Sequence, residues 1–355
     1  MYVRELNVRG LRNIAALELK LSPGCNVIFG ENGAGKSSLL EAVFILTNGK
    51  TFRGGYRQSL VMEGQTGYRL NGHLVDDQGF ESNIKVVREG KQSRIFLRNR
   101  AITNRSALVR HAPTLIFSQE TLAKQIESAA GRRSLLDWCL FHVEPDYHTL
   151  LNSYRLSLNQ YNASLRYRLA DQGQWRSEVA AAGERLDLAR QPALEMVVGK
   201  FAASVEKFSR IPAAELEYRR GWLMDQDLES ELNSRAKDHG DSGYCSTGPH
   251  RCDLKIRGPR GDVHNWASRG QLKAYYYLLS LAFLSVVAET SGEIPIILVD
   301  DLRAEFDEAV AAHMLSLTLE FNGQVLVTGS ADLQRLAELP EAAMFHVEQG
   351  TVRAV

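Results

Sequence analysis

The stretch "FGENGAGKSSLLEA", from Phe29 to Ala42, decides the fold expected for this chain. It matches the pattern G-x-x-x-x-G-K-[ST], in which backbone amides, a lysine and a hydroxyl converge on the phosphates of a nucleotide and on their magnesium ion. An apolar strand pattern, "NVIFG", precedes the glycines, and a helical pattern follows them, which is the context that the motif requires. The sequence therefore predicts a P-loop between a strand and a helix.

The residues expected to hold the nucleotide follow from the roles that the motif gives them. Loop amides face the phosphates, Lys36 reaches the terminal phosphates, and the hydroxyl of Ser37 binds magnesium. The predicted cofactors are ATP and Mg²⁺. The loop residues assigned to them are Gly30, Asn32, Gly33, Gly35, Lys36, Ser37 and Ser38.

The composition limits the possible classes of protein. At 355 residues and 39.6 kDa, with 44% hydrophobic residues, the chain has room for one large or two modest domains with a real core. Forty-two basic residues balance forty-two acidic ones. Binding to DNA or to a membrane surface would therefore need charge that is segregated onto one face.

Several features favour a cytoplasmic protein that does not use a membrane. The N-terminus, "MYVRELNVRG", carries charges where a signal peptide would need an apolar run, and the four cysteines form no C-x-x-C pair. The most apolar stretch begins at Tyr275 and is about fourteen residues long, whereas a membrane span needs roughly twenty, so it predicts a buried helix. Cys245, His250 and Cys252 lie close in sequence, but without a second ligand pair at a zinc-like spacing we prefer buried thiols to a metal site.

The patterns along the chain predict three parts. Residues 1–120 contain the first half of an ATPase core and, between about Arg69 and Phe117, short apolar alternations typical of an antiparallel β subdomain. Residues 121–240 are rich in Ala, Leu, Arg and Gln and predict a helical lobe, and residues 241–355 return to alternating strands and helices. The expected fold is α/β, with a discontinuous core and no heptad array for a long coiled coil.

A second part of the nucleotide site is the apolar run "PIILVDD", which ends in Asp300 and Asp301. A P-loop needs an acidic residue at the end of a neighbouring strand to hold magnesium, and we assign Asp300 to that role. Asp301 stands where ABC-type ATPases usually carry a glutamate that polarises the attacking water. Since aspartate is one methylene shorter, we predict slow hydrolysis with Asp301 and Lys36 as catalytic residues. The structural alternative is a buried strand that merely ends in a solvated acidic turn.

The segment "ASRGQLKAYYYLL", which precedes that strand by about thirty residues, contains S-x-G-Q at the start of a helical pattern. This is the signature of ABC and SMC-type ATPases, in which Ser268, Gly270 and Gln271 would face a γ-phosphate. In that class the signature and the P-loop of one subunit do not share a nucleotide, so the motif predicts an ATP-dependent homodimer. Asp307, in the D-loop position, is the expected contact across the dimer. An ordinary helix N-cap is the structural alternative for Ser268.

At this point the chain resembles the RecF family of bacterial recombination proteins over nearly its whole length. The segments that carry the resemblance are "LNVRGLRNIAALELKLSPGCNVIFGENGAGKSSLLEA", "GRRSLLDWCLFHVEPDY", "GPHRCDLKI", "SRGQLK" and "LVDDLRAEFD", in this order. The first includes the pair Arg12 and Asn13, which the resemblance adds to the nucleotide-binding residues. The family implies an ABC/SMC-type P-loop ATPase head with an antiparallel β subdomain, a helical second lobe and no long coiled coil.

The resemblance also implies partners and a process. The family acts with RecO and RecR at single-stranded gaps and duplex junctions, and it helps RecA to displace single-strand-binding protein in recombinational repair and fork recovery. Its members bind DNA and dimerise on ATP. We therefore expect DNA, RecR and RecO as partners, with RecA reached indirectly.

Some positions depart from the expected pattern. Cys252 stands where many relatives have an acid, Ala304 where the D-loop usually has serine, and Gly329 where ABC ATPases carry a switch histidine. A hydrolysis step that depends on histidine is therefore not expected. Gln119 is assigned to the Q-loop, which senses magnesium, with Glu120 beside it as the competing candidate and a simple polar turn as the structural alternative.

A basic stretch is the candidate DNA surface. No acid appears between Lys91 and Gln119, and such segregation in a neutral protein suits phosphate binding, because clustered cations release counterions. Strand alternation would place the first three arginines of the stretch on one face of a hairpin, whereas a solvated basic face is the alternative. The predicted DNA-binding residues are Arg94, Arg98, Arg100, Arg105 and Arg110.

Three other functions share part of these motifs. The ATP-binding subunit of a membrane transporter would carry a switch histidine and a catalytic glutamate, and a small-molecule kinase would not need "SRGQ" before the acidic strand. The head of another SMC-like repair ATPase would need a longer helical insert for its coiled-coil arm, at roughly 1.5 Å per residue. The hypothesis that uses every motif is an ATP-gated DNA clamp.

Overall fold

The computed structural model describes residues 1–53, 60–329 and 342–355. The described strands, numbered in chain order, are β1 (Tyr2–Leu11), β2 (Ile14–Lys20), β3 (Cys25–Phe29), β4 (Gly67–Val75), β5 (Glu81–Glu89), β6 (Gln92–Leu97), β7 (Arg100–Ile102), β8 (Thr114–Phe117), β9 (Glu215–Arg219), β10 (Asp253–Gly258), β11 (Gly261–Asp262), β12 (Ile296–Val299), β13 (Val325–Gly329), β14 (Ala343–Glu348) and β15 (Thr351–Ala354). The described helices are α1 (Lys36–Asn48), α2 (Arg105–His111), α3 (Gln119–Glu127), α4 (Ala129–Val143), α5 (Tyr147–Tyr167), α6 (Gln172–Lys207), α7 (Leu228–Ser234), α8 (Ala236–Ser242), α9 (Arg269–Ser291), α10 (Leu302–Glu305) and α11 (Glu308–Leu319). Two short 3-10 helices cover Pro249–Arg251 and Val263–Asn265.

The chain divides into two compact units. Unit 1 comprises Met1–Ala123 and Val287–Val355, and unit 2 comprises Lys124–Val286. The sequence analysis instead divides the chain at residues 120 and 240 and assigns everything after 240 to the ATPase core. The second boundary differs because β10 pairs with β9, so backbone hydrogen bonds join residues on both sides of position 240 within unit 2. The three-part functional division remains a prediction.

Unit 1 contains a six-stranded antiparallel sheet with the order β2-β1-β4-β5-β6-β7. Its strands alternate buried and exposed residues; in β5, for example, Ile84 and Val86 are buried and Lys85 between them is exposed. Such alternation gives a sheet with one face in the core and one in solvent. The predicted antiparallel subdomain is thus confirmed, and the two N-terminal strands belong to it as well.

The second sheet of unit 1 has the order β15-β14-β3-β13-β12-β8. Strands β3, β13, β12 and β8 run parallel to one another, and all residues of β12 and β13 are buried. Strand β8 was predicted within the antiparallel subdomain, and that placement is wrong: all four of its residues are buried, and it pairs in parallel with β12. Continuous burial is typical of a parallel strand that is covered on both faces.

This parallel arrangement positions the nucleotide motifs. Strand β13 pairs in parallel with both β3 and β12, so the carboxyl ends of β3 and β12 lie at the same edge of the sheet. The P-loop follows β3, and the two acids follow β12. In open α/β sheets, ligands bind beyond the carboxyl ends of the strands. The core beneath this edge joins the inner face of the antiparallel sheet to α1 and to the second sheet.

Unit 2 is mainly helical, as predicted. Its longest helix, α6, has 36 residues and contains Pro192, which gives a length of about 54 Å at 1.5 Å per residue. A three-stranded sheet, β11-β10-β9, completes the unit. Helix α9 contains the predicted buried stretch, in which Tyr275, Tyr276 and Tyr277 are fully buried. Among the described helices it alone has the length and apolar composition to cross a membrane, and 78% of its most apolar window is buried inside the protein.

Candidate nucleotide-binding site

The P-loop occupies the turn between β3, which ends at Phe29, and α1, which begins at Lys36. Gly30 has a φ of +154°, and a Cβ atom there would lie 2.2 Å from the carbonyl oxygen of Val347. No larger residue fits without displacing β14. The glycine of the motif therefore serves a close approach between two backbones, in addition to leaving room for phosphates.

Lys36 is buried, and its ammonium group is held inside the loop. Its Nζ atom donates to the carbonyl oxygen of Gly30 at 2.8 Å and to that of Glu31 at 2.9 Å. These two acceptors satisfy a charge that burial would otherwise penalise. Because phosphate oxygens are stronger, charged acceptors, a bound nucleotide can take over one or both bonds without moving the helix.

Asn13 holds the loop from outside. Its Nδ2 atom donates to the carbonyl oxygens of Ala34, at 3.0 Å, and of Gly33, at 3.3 Å, while its Oδ1 atom accepts from the hydroxyl of Ser38 at 3.0 Å. One amide thus connects the loop backbone to the first turn of α1. This bonding fixes the loop conformation before any ligand arrives.

Arg12 forms an ion pair beneath the loop. Its Nε atom lies 2.8 Å from Oε2 of Glu41 and its Nη2 atom 3.1 Å from Oε1. The side chain of Glu41 is fully buried, whereas that of Arg12 is 22% exposed. Thr51 also donates a hydrogen bond to Glu41. The predicted nucleotide-binding residue Arg12 therefore has a structural role in unit 1, since it compensates a buried carboxylate on α1.

Asp300 and Asp301 follow β12 and differ in their environments. The hydroxyl of Thr328 donates to Oδ1 of Asp300 at 2.8 Å and accepts from the amide of Asp301 at 3.0 Å. The guanidinium of Arg53 lies 3.5 Å from Oδ2 of Asp300. The Asp300 carboxylate is therefore oriented by a hydroxyl and faced by a cation.

Asp301 has an unusual backbone and an altered acidity. Its φ of +50° places it in the left-handed region, which is strained for an aspartate. Burial raises the pKa of its carboxyl, the adjacent Asp300 raises it further, and Lys36 opposes the shift. A carboxylate whose pKa is raised is a stronger base, which suits a group that must polarise water.

A cavity of about 570 Å³ in unit 1 is lined by Lys36, Ser37 and Asp301, whereas Asp300 is not among the described residues that line it. The donor set fits Mg²⁺, because a hydroxyl and one carboxylate leave room for the phosphate oxygens and waters that this ion prefers. No cluster of three His, Cys, Asp or Glu side chains suits a metal ion within the described ranges, so a magnesium ion here would depend on the nucleotide for most of its ligands. The residues that line the cavity are Arg12, Asn13, Asn32, Gly33, Gly35, Lys36, Ser37, Ser38, Arg53, Val61 and Asp301.

Gln119 lies near this edge of the sheet but does not line the cavity. It begins α3 two residues after β8, and β8 pairs with β12 through Phe117 and Val299. Its side chain is exposed, whereas that of Glu120 is half-buried. The Q-loop role of Gln119 therefore stays a prediction.

The signature segment belongs to unit 2 and forms a helix cap. The amide of Gln271 donates to the hydroxyl of Ser268 at 3.2 Å, and the side-chain oxygen of Gln271 accepts from the amide of Ser268 at 3.0 Å. This reciprocal pair is a capping box at the start of α9. Ser268 and Gly270 are exposed, and nothing lies within 4 Å of the position of a Cβ atom on Gly270.

Asp307 also caps a helix. Its side chain accepts from the amide of Val310 at 2.9 Å at the start of α11, and the residue is exposed. The structural alternative for Ser268, an N-cap, is therefore present in the molecule, and Asp307 has the same local role. Neither observation decides whether these residues contact a nucleotide or a second subunit, so both assignments remain predictions.

The predicted arrangement of the basic hairpin is wrong in one respect. Arg98 and Asn99 form the turn between β6 and β7, with φ values of +50° and +63°. Arg100 pairs with Leu97, whereas Arg94 lies on the opposite side of β6. The three arginines do not share a face, because a two-residue turn with positive φ replaces the assumed continuous alternation. Their DNA-binding role stays a prediction, as does that of Arg105 and Arg110.

The buried thiols have partners that explain their positions. The ring of His250 contacts the hydroxyl of Tyr154 at 2.6 Å and the carbonyl oxygen of Cys245 at 3.0 Å. Cys252, the departure from the family pattern, has a buried sulfur that accepts from Arg190 at 3.3 Å. His250 and Cys252 therefore take part in the packing of unit 2.

Sequence patterns missed several residues of the cavity and its support. Arg53 follows α1 with no motif around it, and Glu41 is an ordinary helical residue in the sequence. Thr328 is visible only as a polar residue inside the apolar run "QVLVTG". A polar residue within a fully buried strand was the one signal available, since such a group needs a hydrogen-bond partner.

Comparisons with known proteins identify the family of this chain. The family model described as "RecF/RecN/SMC N terminal domain" matches residues 2–351. The DNA replication and repair protein RecF of Thioalkalivibrio sulfidiphilus is 32% identical over 99% of this chain and 99% of its own length. The chain belongs to the RecF family. A RecF from Stenotrophomonas maltophilia is also 32% identical, with complete coverage of both chains. The predicted membership of this family of DNA replication and repair proteins is confirmed.

Solved structures confirm the predicted RecF-like fold class. A structure of "the recombination mediator protein RecF-ATP in RecFOR pathway" matches with a TM-score of 0.85 and 24% identity, covering 100% of this chain and 97% of that one. An SMC head domain from Pyrococcus furiosus matches with a TM-score of 0.62 and 16% identity, covering 100% of this chain and 96% of that one. At these identities the likeness concerns the fold, and it confirms an ABC/SMC-type head with a helical lobe.

Proposed function

We propose that this chain is an ATP-dependent DNA-binding protein that dimerises on ATP and acts at single-stranded gaps or at junctions of single- and double-stranded DNA in recombinational repair. The observation that carries the proposal is the cavity of unit 1, where Lys36 is buried and bonded within the loop while Ser37 and Asp301 line the same space. RecF relatives are named DNA replication and repair proteins, and one solved relative is described with ATP.

ATP would bind with its phosphates in the P-loop. Lys36 would exchange loop carbonyls for phosphate oxygens, and loop amides would supply further donors. Ser37 and Asp300 would hold Mg²⁺, directly or through water. Arg53, which faces Asp300 at 3.5 Å, is the cation that magnesium would displace from this carboxylate.

Hydrolysis would be slow and would serve to reset the protein. Asp301 is the proposed base for the attacking water, with Gln119 as a magnesium-sensing neighbour. Gly329 occupies the expected switch position and has no side chain to share the task. A short carboxylate with a strained backbone must form the reactive geometry on its own, which favours a long-lived ATP-bound state.

The ATP-bound state would be a homodimer. Ser268 and Gly270 are exposed at the start of a helix that is already capped, so a phosphate can approach the helix N-terminus without unmaking the fold. Asp307 would contact the second subunit. The signature segment of each subunit would then cover the nucleotide in the P-loop of the other subunit. Hydrolysis of ATP would allow the two subunits to separate.

DNA, RecR and RecO are the proposed partners, with RecA affected indirectly. Binding would use mainly the DNA backbone and shape, because Phe96 is the single aromatic residue between Lys91 and Arg110 and gives little opportunity for base stacking. We place this activity in the cytoplasm, with no membrane partner. A reducing compartment suits the four free cysteines.

The proposal is tested by fluorescence anisotropy of a gapped duplex titrated with the protein in the presence of ATP, ADP or no nucleotide, at two salt concentrations. Lys36→Met is the test variant and Lys237→Met, at an exposed site on α8, is the matched control. We expect ATP to tighten binding by about tenfold or more, salt to weaken it, and only Lys36→Met to lose the ATP effect.

DNA binding that is absent, or that ignores nucleotide and the Lys36→Met change, would contradict the proposal. Sedimentation of the same samples without DNA would then separate the remaining possibilities. An ATP-dependent dimer without DNA binding would favour the transporter subunit, whereas a monomer that turns over ATP with a small acceptor would favour a kinase.

A further inference from the structure

A second cavity of unit 1 lies apart from the nucleotide cavity, and it is lined in part by Arg94 and Arg105, two of the predicted DNA-binding residues. It has a volume of about 660 Å³ and lies between the end of α1, the inner face of β4 to β7 and the start of α2. Among the described residues, none lines both this cavity and the nucleotide cavity. The sequence does not reveal this cavity, because its walls come from several separate segments.

The lining of this cavity is basic. Lys50, Arg88, Arg94 and Arg105 contribute to it, and no acidic residue does so in the described part of the chain. Arg94 is exposed and lies 3.5 Å from Glu89, so part of its charge is compensated. A cavity of this size bordered by cations and no carboxylate is suited to an anion.

Arg88 is the residue that most needs a ligand. It is 6% exposed, and its Nε atom is buried without a hydrogen-bond partner. The other two arginines that the described residues bury differ in this respect: Arg132 makes two bonds to Asp253, and Arg190 bonds to hydroxyl, carbonyl and sulfur acceptors. A buried guanidinium without an acceptor is unfavourable unless something binds to it.

The strand register shows why Arg88 points into the cavity. It lies opposite Tyr68 on β4 and Ser93 on β6, and its neighbours at alternate positions, Val86 and Ile84, are core residues. Arg88 therefore lies on the inner face of the sheet, where its strand reaches the end of the core. Ser93 lines the same cavity and offers a hydroxyl donor.

Arg105 reaches the cavity from α2. Gly49, the cap of α1, has a φ of +65°, and a Cβ atom there would lie 2.8 Å from Cδ of Arg105. The absence of a side chain at Gly49 thus lets the stem of Arg105 pack across the end of α1. A cation at this place also stabilises the negative end of the α1 dipole, which is a structural reason for Arg105. Because a guanidinium has only donors, Arg105 supplies no acceptor for the Nε atom of Arg88.

We propose that this cavity binds a phosphate group, with Arg88 and Arg105 as its charged ligands and Ser93 as a neutral donor. Guanidinium groups bind phosphate through paired hydrogen bonds, and a phosphate would give the buried Arg88 side chain a charged partner. The inference rests on the proposed function, from which we take a backbone phosphate of DNA as the ligand. A free oligophosphate presents the same chemistry, so the experiment separates the two sources.

The first measurement is the salt dependence of DNA binding by the full chain with ATP. The variants are Arg88→Met and Arg105→Met, and the matched control is Lys85→Met, which removes an exposed charge from the outer face of the same strand. Loss of one phosphate contact is expected to lower the slope of log K against log salt by about 0.9 and to weaken binding about tenfold. The control is expected to keep the wild-type slope.

The second measurement is the melting temperature with and without tripolyphosphate, in a Lys36→Met background that removes the P-loop contribution. A shift that Arg88→Met abolishes, together with an unchanged DNA slope, would assign the cavity to a free oligophosphate. A reduced salt slope of DNA binding, without any shift of the melting temperature by tripolyphosphate, would assign the cavity to a DNA phosphate. Either result supports the phosphate site.

The third measurement separates binding from a structural role for Arg88. Without ligand, Arg88→Met is expected to keep or raise the melting temperature, because it removes a buried charge that lacks a partner. A decrease of several degrees would show that the arginine holds the sheet together and would overturn the proposal. So would a variant that binds DNA with the wild-type slope and keeps the tripolyphosphate shift. If the wild-type protein binds no DNA at all, the proposed function fails, and the tripolyphosphate arm alone then decides the cavity.

Discussion

The P-loop and the signature segment are both short, glycine-containing motifs at helix starts, but the contacts that hold them differ. In the P-loop, Lys36 and Asn13 bond to backbone carbonyl groups of the loop, and Gly30 lies against the backbone of β14. In the signature segment, Ser268 and Gln271 bond to each other's amides; Ser268 is exposed and Gln271 is half-buried. The first motif is held by tertiary contacts, whereas the second is complete as a local cap.

This difference bears on how each motif can act. A loop that is fixed in advance binds its ligand without an ordering cost, which favours affinity. The exposed signature cap can contact a nucleotide only when a second subunit brings one to it. Such a motif is suited to control by dimerisation. We therefore expect changes at the P-loop and its supports to alter ATP hydrolysis and stability strongly, and changes at the signature to act chiefly on dimerisation, with a small cost in stability where the cap is lost.

The largest expected effect is on ATP hydrolysis at the P-loop cavity. Asp301→Asn removes the proposed base, so we expect ATP turnover to fall by about 10²- to 10⁴-fold while ATP binding is kept. Steady-state phosphate release measures the turnover, and a nucleotide titration measures the ATP affinity. Turnover that is unchanged would show that another group polarises the water and that the raised pKa of Asp301 has only a structural cause.

The same residue predicts a dependence of stability on pH. The pKa of Asp301 is higher in the folded protein than in the unfolded chain, chiefly because of burial. Its stabilising contribution is therefore complete at acid pH and is lost as the pH rises through the folded-state value. We expect Asp301→Asn to be more stable than the wild type at neutral pH and to lose that advantage in acid, as measured by denaturant unfolding across pH.

The next largest effect tests whether the P-loop depends on its supports. Arg12→Met leaves the fully buried carboxylate of Glu41 without its charged partner, and we expect a loss of about 3 kcal/mol in the free energy of unfolding. Arg9→Met, at an exposed site on β1 three residues before Arg12, is the control and should stay within about 0.5 kcal/mol of the wild type. Equal stabilities of the two variants would contradict the idea that tertiary contacts hold this motif.

A smaller effect is expected at the signature. Ser268→Ala removes the cap and should cost about 1 kcal/mol of unfolding free energy. Ser268→Asp keeps a capping oxygen but adds a negative charge at the position proposed to face a phosphate, so it should fold normally and lose ATP-dependent dimerisation. Analytical ultracentrifugation with ATP measures this outcome. A Ser268→Asp protein that still dimerises would remove the proposed contrast between the two motifs.

The smallest effect concerns Arg53. Its contact with Asp300 is long and partly exposed, so Arg53→Gln should change the unfolding free energy by less than about 1 kcal/mol. If magnesium displaces this guanidinium, the variant should need less Mg²⁺ for half-maximal ATP binding than the wild type. A titration of Mg²⁺ at fixed ATP compares them, and a higher requirement would show that Arg53 itself contacts the nucleotide.

Several elements were predictable because their signals are local. The P-loop has a fixed spacing of Gly, Lys and Ser between a strand and a helix, and the acidic pair ends an apolar run of strand length. The hairpin around Gln349 and Gly350 follows from turn chemistry and is present as β14 and β15. The strand β8 was assigned to the wrong sheet because a short apolar run does not reveal its pairing partner.

The sequence by itself determined that the chain carries a P-loop, an acidic strand end and a capped signature helix in the order of the RecF family, since each depends on the chemistry of a few neighbouring residues. Only the tertiary structure decided that Arg12 compensates Glu41, that Thr328 orients Asp300, and that the three arginines of the hairpin do not share a face. The same holds for Arg88, a buried residue that lines a cavity built from several separate segments. The reason is physical: burial and register bring together residues that are far apart in sequence, and no local pattern encodes the partner that a side chain will meet.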